Sequence, residues 1–233
     1  MLAQNEERHI PTALAQFFHV VEDMVVVDGG SSDNTVLWAE RMGARVISRP
    51  FKQDFADQKN FAISQLQTDW VYLTDPDERL EPPLLDILAY LVDPNGQKML
   101  QQAGILPPFT GEFDCFGIAR KNFIDGQQTE IYPDYQYRLF KNYCRYEGRV
   151  HEKIVGFTER TEVDYTRPTN ARPIIKEENK LETIETERGR VETGVRIEDL
   201  SSLSRFNILH YKSSKKQQEQ DQLYRQIARS ENS

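Results

Sequence analysis

Cysteine is scarce: Cys115 and Cys144 are the two in 233 residues, and they lie 29 positions apart with no ligand-like spacing. Such usage gives no zinc site and little support for a structural disulfide. It fits a reducing cytosol in which both side chains serve as small hydrophobes in strands. Net positive charge is also lacking. A formal charge of −8 and a pI near 5.2 argue against a nucleic-acid partner, because phosphate backbones select for concentrated Lys and Arg. The basic stretch Lys212 to Lys216 stays open to contact with an anionic surface, but it reads first as a solvated helix start. No apolar run approaches bilayer length, and the chain does not open on a basic region followed by an apolar stretch, so the expected location is cytoplasmic. There is no internal repeat and no Gly-rich phosphate loop.

What is present suffices for one sizeable α/β domain, or a domain with an appendage, since 38% of the residues are hydrophobic. Ile10, Leu14, Phe17, Phe18 and Val21 recur at helical spacing, with Pro11 tolerated in the first turn. Met24 to Val27 form a continuous apolar run, the mark of a strand buried on both faces, and it ends at Asp28-Gly29-Gly30. Ser31, Ser32 and Asp33 offer helix caps, Val36, Ala39 and Met42 an inward stripe, and Gly43 a stop before a strand at 44–47. A helix over 55–67 and a strand ending at Asp75 complete another step. This alternation predicts a mostly parallel, Rossmann-like sheet with helices on both faces, whose ligands gather at the carboxyl ends of the strands. Pro82-Pro83 opens a further helix, and 93–111 reads as a Pro/Gly-punctuated loop. Beyond it, 113–123 and 135–140 read as strands around a turn at Asp125-Gly126. A polar excursion of Glu, Arg and Thr follows, then a helix-prone stretch over 213–229 with a narrow apolar face.

The acidic stretch Asp75-Pro76-Asp77-Glu78 carries the chemistry. Carboxylates on the turn after a buried strand supply hard oxygen ligands for Mg²⁺ or Mn²⁺ and leave coordination positions for water and phosphate oxygens. Acidic turns after strands are ordinary, and Pro76 at a turn's second position is expected in any case. Asp28 likewise has a plain alternative as a helix cap, and Asp134 as an exposed turn acid. Arg138 alternates with Tyr137, Leu139 and Phe140 on a strand, where it can face a diphosphate or a nearby acid.

Three ordered blocks sharpen this. Val25-Val26-Val27-Asp28-Gly29-Gly30-Ser31-Ser32-Asp33-Asn34-Thr35, then Asp57-Gln58-Lys59-Asn60-Phe61-Ala62, then Asp69 to Glu78 together resemble glycosyltransferase family 2. Downstream, Pro133 to Phe140 and Glu147-Gly148-Arg149-Val150-His151-Glu152 are similar to the branch containing lipopolysaccharide-core β-glucosyltransferases. The resemblance covers about residues 1–155 and resumes weakly at Leu209-His210-Tyr211.

It implies a GT-A fold, and an inverting transfer of a sugar from a nucleotide-diphosphate-sugar donor to a hydroxyl of a glycan or lipid-linked acceptor. The setting it implies is cell-envelope polysaccharide or lipopolysaccharide assembly, with peripheral contact at the inner face of the membrane left open. By the same resemblance, Asn5 and Glu6 lie near the nucleotide, Asp28 faces the base or ribose, and Lys59 stands near the nucleotide or its phosphates. Asp75 approaches ribose and metal, Asp77 is the direct metal ligand, Asp134 the general base, and His151 a candidate for the late histidine of the metal site. His210 is a second, weaker candidate.

The sequence departs from the family pattern in two places. The first strand is truncated, since the chain opens at Met1-Leu2-Ala3 where relatives have a full apolar strand. The charged excursion is also longer than in close relatives. The expected organisation is a GT-A domain over 1–155, a polar insertion or lid over 156–205, and a C-terminal segment with a helix over 206–233. Two other readings remain: a non-catalytic nucleotide-sugar-binding protein, and a sugar-nucleotide nucleotidyltransferase, which normally opens with the Gly-rich loop lacking here.

Overall fold

The computed structural model describes residues 1–106, 113–156, 194–197 and 206–231. The first αβ steps follow the apolar pattern. Strands β1 (Leu2–Ala3), β2 (Val25–Asp28) and β3 (Arg45–Ser48) form a parallel sheet in the order β1-β2-β3, with helices α1 (Ile10–Ala15), α2 (Thr35–Arg41) and α3 (Phe55–Ser64) around it. The three valines of β2 divide between the two faces. Val26 packs with Ile10, Leu14 and Ala39, whereas Val25 and Val27 pack with Ala62, so the strand is covered on both sides. Gly43, at φ +78°, ends α2 in the left-handed conformation that a Cβ disfavours.

The rest of the described chain forms a larger mixed sheet. Its strands are β4 (Trp70–Tyr72), β5 (Glu78–Leu80), β6 (Cys115–Ile124), β8 (Asp134–Lys141) and β12 (Asn207–Lys212), in the order β4-β8-β6-β12-β5. Two strands join β6 off that path, β7 (Gln127–Gln128) after the Asp125-Gly126 turn and β11 (Gly194–Ile197). A separate hairpin pairs β9 (Arg145–Glu147) with β10 (Lys153–Val155). Here β4–β8, β6–β8 and β12–β5 are antiparallel, so the parallel part is smaller than the alternation in the first half predicts. Helices α4 (Pro82–Val92) and α5 (Pro94–Gln102) cover this sheet, with Leu84, Leu88, Leu91 and Leu100 packed on Phe116, Ile118, Leu139 and Ile208. The long helix α6 (Ser214–Glu231) follows β12.

One expectation needs correction. The stretch expected to be a loop from 93 contains α5. Asp93 accepts a hydrogen bond from Gly96 N at 2.6 Å, Pro94 takes the first turn, and Leu100 is buried, so capping outweighs the Pro and Gly. In the C-terminal segment, β12 runs inside the larger sheet between β6 and β5. Apart from Gly156 and β11, the polar excursion expected over 156–205 lies outside the described residues.

Strand β1 has two residues. Leu2 and Ala3 still pair with Val27 and Asp28, and the amino group of Met1 donates to Val25 O at 2.9 Å. Beyond them a cavity of about 480 Å³ is lined by Met1, Leu14, Met24 and Val25 on one side and by Val71 and Tyr72 of the β4 segment on the other. Among the described residues no helix is long and apolar enough to cross a membrane.

Candidate active site

The acidic motif is a turn between strands that stand at opposite ends of the larger sheet's order. Glu78 N donates to Asp75 O at 3.1 Å, with Pro76 and Asp77 as the central residues. Because the turn links β4 to β5, side chains on the strands between them reach it. Arg138 comes from β8, Arg120 from β6 and His210 from β12.

Arg138 is buried and donates at 2.6 Å both to Asp75 Oδ2 and to Glu78 Oε1. Burial alone would lower the guanidinium's pKa, yet the charges of Asp75 and Glu78 carry it well above the ordinary value. Burial would likewise raise Asp75, and the charges of Arg138 and Lys59 outweigh it, holding that carboxyl well below the usual carboxylate range. Of the two partners open to Arg138, the structure supplies the acids. Glu78 has no exposed surface and also lies 3.4 Å from Arg120.

Arg120 extends the network to Asp134. Its Nε and Nη2 donate to Asp134 Oδ2 at 3.0 and 2.7 Å, and the two residues are direct register partners on β6 and β8. Asn122 Nδ2 donates to the same oxygen at 2.9 Å, and Gln136 donates to Oδ1 at 2.8 Å. Burial would raise the Asp134 pKa. Arg120's charge and these hydrogen bonds prevail and lower it.

From Asn122 the chain runs on to Asp77. His210 and Asn122 are register partners on β12 and β6, and Asn122 Oδ1 lies 2.7 Å from His210 Nδ1. With the Asn122 amide nitrogen already given to Asp134, its oxygen accepts, which assigns a proton to Nδ1 and turns Nε2 to Asp77 Oδ1 at 3.6 Å. A proton or a metal ion between the two would satisfy both atoms. Burial would raise Asp77, but hydrogen bonding and charge from His210 together with the charge of Lys216 bring it down to about 2. Its other oxygen, Oδ2, is 3.1 Å from Lys216 Nζ, which also lies 2.7 Å from Glu6 Oε1.

Glu6 and Asn5 belong to the loop after β1, which is tied to the loop after β2. Ser32 N donates to Asn5 Oδ1 at 2.8 Å, Asn5 N to Ser31 Oγ at 2.9 Å, and Glu6 N to Thr35 Oγ1 at 2.7 Å. Asp28, buried at the end of β2, accepts from Gly30 N and Ser31 N at 3.1 Å, so its carboxylate closes its own turn.

Two expected site residues lie off this chain. Lys59 Nζ is 3.2 Å from Glu152 Oε1 and 4.7 Å from the centre of the Tyr146 ring. The contact with Glu152 is an ion pair and not a hydrogen bond, and Oε1 is otherwise buried without a partner. His151 is exposed, with its ring edge against Tyr224 at 5.3 Å. The histidine that meets Asp77 is therefore His210. A histidine at 151 follows an exposed Gly148 turn and has left-handed backbone, which directs it to the surface, whereas 210 lies on an interior strand.

Fit to a divalent cation follows from the donors. Asp77 and His210 present one oxygen and one nitrogen, while Asp75 is occupied by Arg138. Among the described residues no group of three or more His, Cys, Asp or Glu forms a complete cage. Two protein ligands suit a cation that takes its remaining ligands from a bound diphosphate and water.

The sequence reading gave no role to Glu78, Arg120, Asn122 or Lys216. Glu78 stood within the acidic motif as a signal. Arg120 and Asn122 alternate along a strand with no motif around them, and Lys216 was masked by the basic run in which it lies.

The fold and site thus define an α/β protein with acids from several strands and loops joined in one polar network. Residues 1–104 match the model of glycosyl transferase family 2. An uncharacterized glycosyltransferase of Rickettsia felis is 35% identical over 97 residues, which are 42% of this chain and 34% of the relative. This chain thus spans about a third of the length of the Rickettsia relatives it matches. The lipopolysaccharide core biosynthesis glycosyltransferase LpsC of Rhizobium meliloti is 25% identical over 201 residues, covering 84% of this chain and 72% of that protein. Glucosyl-3-phosphoglycerate synthase from Mycobacterium tuberculosis, in complex with Mn²⁺, uridine diphosphate and glucosyl-3-phosphoglycerate, superposes with a TM-score of 0.36 at 25% identity, over 54% of this chain and 42% of that one. A TM-score that low carries no argument about the present site.

Proposed function

We propose that this protein is a metal-dependent, inverting glycosyltransferase that moves a sugar from a nucleotide-diphosphate donor to a hydroxyl of a glycan or lipid-linked acceptor in the assembly of cell-envelope polysaccharide or lipopolysaccharide. The observation that carries this reading is the unbroken chain Asp134, Asn122, His210, Asp77, Lys216, Glu6, which joins the loop after β1 to the acidic turn and to a further acid. The expected setting is cytoplasmic, with Mg²⁺ or Mn²⁺ as cofactor and the membrane face as a place of contact for a lipid-linked acceptor. Residues 1–155 would form the transferase domain, 156–205 an insertion or lid, and 206–233 a segment that returns to the site.

Asp77 and His210 would hold the cation, whose charge, when bound, offsets that of the departing diphosphate. Asn122 holds His210 Nδ1, so Nε2 is the ring nitrogen turned to Asp77. Arg138 keeps Asp75 ionised and immobile. Asp134 would accept the proton of the acceptor hydroxyl, with Arg120, Asn122 and Gln136 fixing its orientation. Asn5, Glu6 and Asp28 would shape the nucleotide end of the cleft.

A direct test is nucleotide-diphosphate release from a panel of donors with Mn²⁺ or Mg²⁺, comparing the parent with Asp77→Ala. Loss of release in the variant is expected, and unchanged release rejects the metal role. One observation favours the second reading of a non-catalytic nucleotide-sugar binder: both oxygens of Asp134 are already engaged and its proton affinity is lowered. Calorimetry that finds tight donor binding with no turnover on any acceptor decides for it.

A further inference from the structure

We propose that Lys216 is the diphosphate-facing cation of this site: in the free protein its ammonium neutralises Asp77, and on binding of a divalent ion it shifts to the diphosphate. The inference rests on the reading of the cleft as a nucleotide-diphosphate site. Lys216 lies in the first turn of α6, and one ammonium spans two loops, 2.7 Å from Glu6 Oε1 and 3.1 Å from Asp77 Oδ2. Its helix is anchored close by, since Ser214 N and Oγ both donate to Asp125. The neighbouring lysines are engaged elsewhere. Lys215 is 84% exposed beside Glu219, and Lys212 donates to Gln220.

Asp77 is 4% exposed, so a charge beside it is poorly screened and its oxygens are contested positions. A divalent ion on Oδ1 repels the ammonium on Oδ2 of the same carboxylate and weakens its hold there. Lys216 therefore competes with the metal when the cleft is empty. Once displaced from Asp77, it remains tethered within a side chain's length of the acidic turn, where phosphate oxygens are the strongest acceptors within reach. A lysine suits this exchange, since it is a compact charge on a flexible stem that can change partners without moving its helix. Its side chain is 35% exposed, which leaves it room to turn.

The test uses the full chain and the variant Lys216→Gln, with circular dichroism melting to establish that both fold. Mn²⁺ alone is titrated by electron spin resonance, and uridine and guanosine diphosphates are titrated by calorimetry at saturating Mn²⁺. Removing the competitor should tighten Mn²⁺ binding about tenfold, and removing the phosphate ligand should weaken the bound diphosphate about tenfold. The opposite signs are diagnostic, because general damage to the site weakens both. A Mn²⁺ affinity in Lys216→Gln equal to or below the parent's, or an unchanged diphosphate affinity, overturns the proposal. If the parent binds neither Mn²⁺ nor a diphosphate, the reading of the cleft itself falls, a result distinct from failure of Lys216 alone.

Discussion

His210 presents Nε2 to Asp77 Oδ1 across 3.6 Å while its other nitrogen is held 2.7 Å from Asn122 Oδ1. The second contact selects the tautomer that gives the first its meaning. Replacing Asn122 by Ala removes that selection without touching either proposed ligand. Mn²⁺ affinity should fall about 10- to 100-fold, the range seen when outer partners of ligating histidines are lost. A resonance titration on Asn122→Ala beside His210→Ala checks this. Equal binding in the parent and Asn122→Ala would show that the tautomer is set by something else.

The two cysteines give a prediction independent of the site. Both are reduced and buried, and burial pushes the Cys144 thiol up to about 12. The folded protein at pH 8 should therefore react slowly with a thiol reagent and release both thiols on denaturation. The sign with pH follows from the same shift. An unfolded thiol ionises near its ordinary value of about 8.5 while the folded one stays neutral, so stability should fall as pH rises above about 9. Chemical denaturation of the parent and Cys144→Ala at pH 7 and pH 10 checks it, and the pH-dependent loss should be smaller in the variant.

A helix that escaped the sequence reading supplies another test. In α5, Gly96 allows close approach to the preceding helix: a Cβ there would stand 2.6 Å from Tyr90 Cα and nearer still to its carbonyl oxygen. Propensity alone would make Gly96→Ala stabilising by about 1 kcal/mol. The clash is with backbone, which cannot turn aside, so the net effect should be destabilising by roughly 1–3 kcal/mol. A raised melting temperature for Gly96→Ala would show that α4 and α5 separate at little cost.

These cases show which features local sequence could carry. The valines of β2, Gly43 and the acidic turn act through neighbours in the chain, and their pattern gave the first αβ steps and the position of Asp75 and Asp77. Asn122 and His210 are 88 residues apart, and Lys216 and Glu6 are 210 apart. Their meeting depends on strand register and on β12 entering the middle of a sheet that begins at Trp70, and no local period encodes either. Lys216 illustrates the limit most directly. A basic run at a helix start has the same composition whichever lysine turns inward, and the choice is made by acids elsewhere in the fold. Gly96 misled for the opposite reason, since glycine punctuates loops as often as it permits a close helix contact.

Asp134 is the residue on which the proposed chemistry turns. Its carboxylate is held by Arg120, Asn122 and Gln136, and its pKa is lowered, so it stays ionised at pH values where an ordinary carboxyl begins to protonate. If it is the base, Asp134→Asn should lower turnover about 10²- to 10⁴-fold with donor affinity nearly unchanged, and the acid limb of the parent's pH–rate profile should lie below the usual carboxylate range. The substitution also leaves Arg120 short of a charged partner, so a stability loss of about 1–3 kcal/mol should accompany it. Turnover at 25 °C, well below the melting transition, separates the two effects. Retention of turnover would move the proton transfer to another carboxylate. Glu152 is then the group to examine, because its Oε1 is buried beside Lys59 with no hydrogen bond, and a lone pair not already engaged is what a general base must offer.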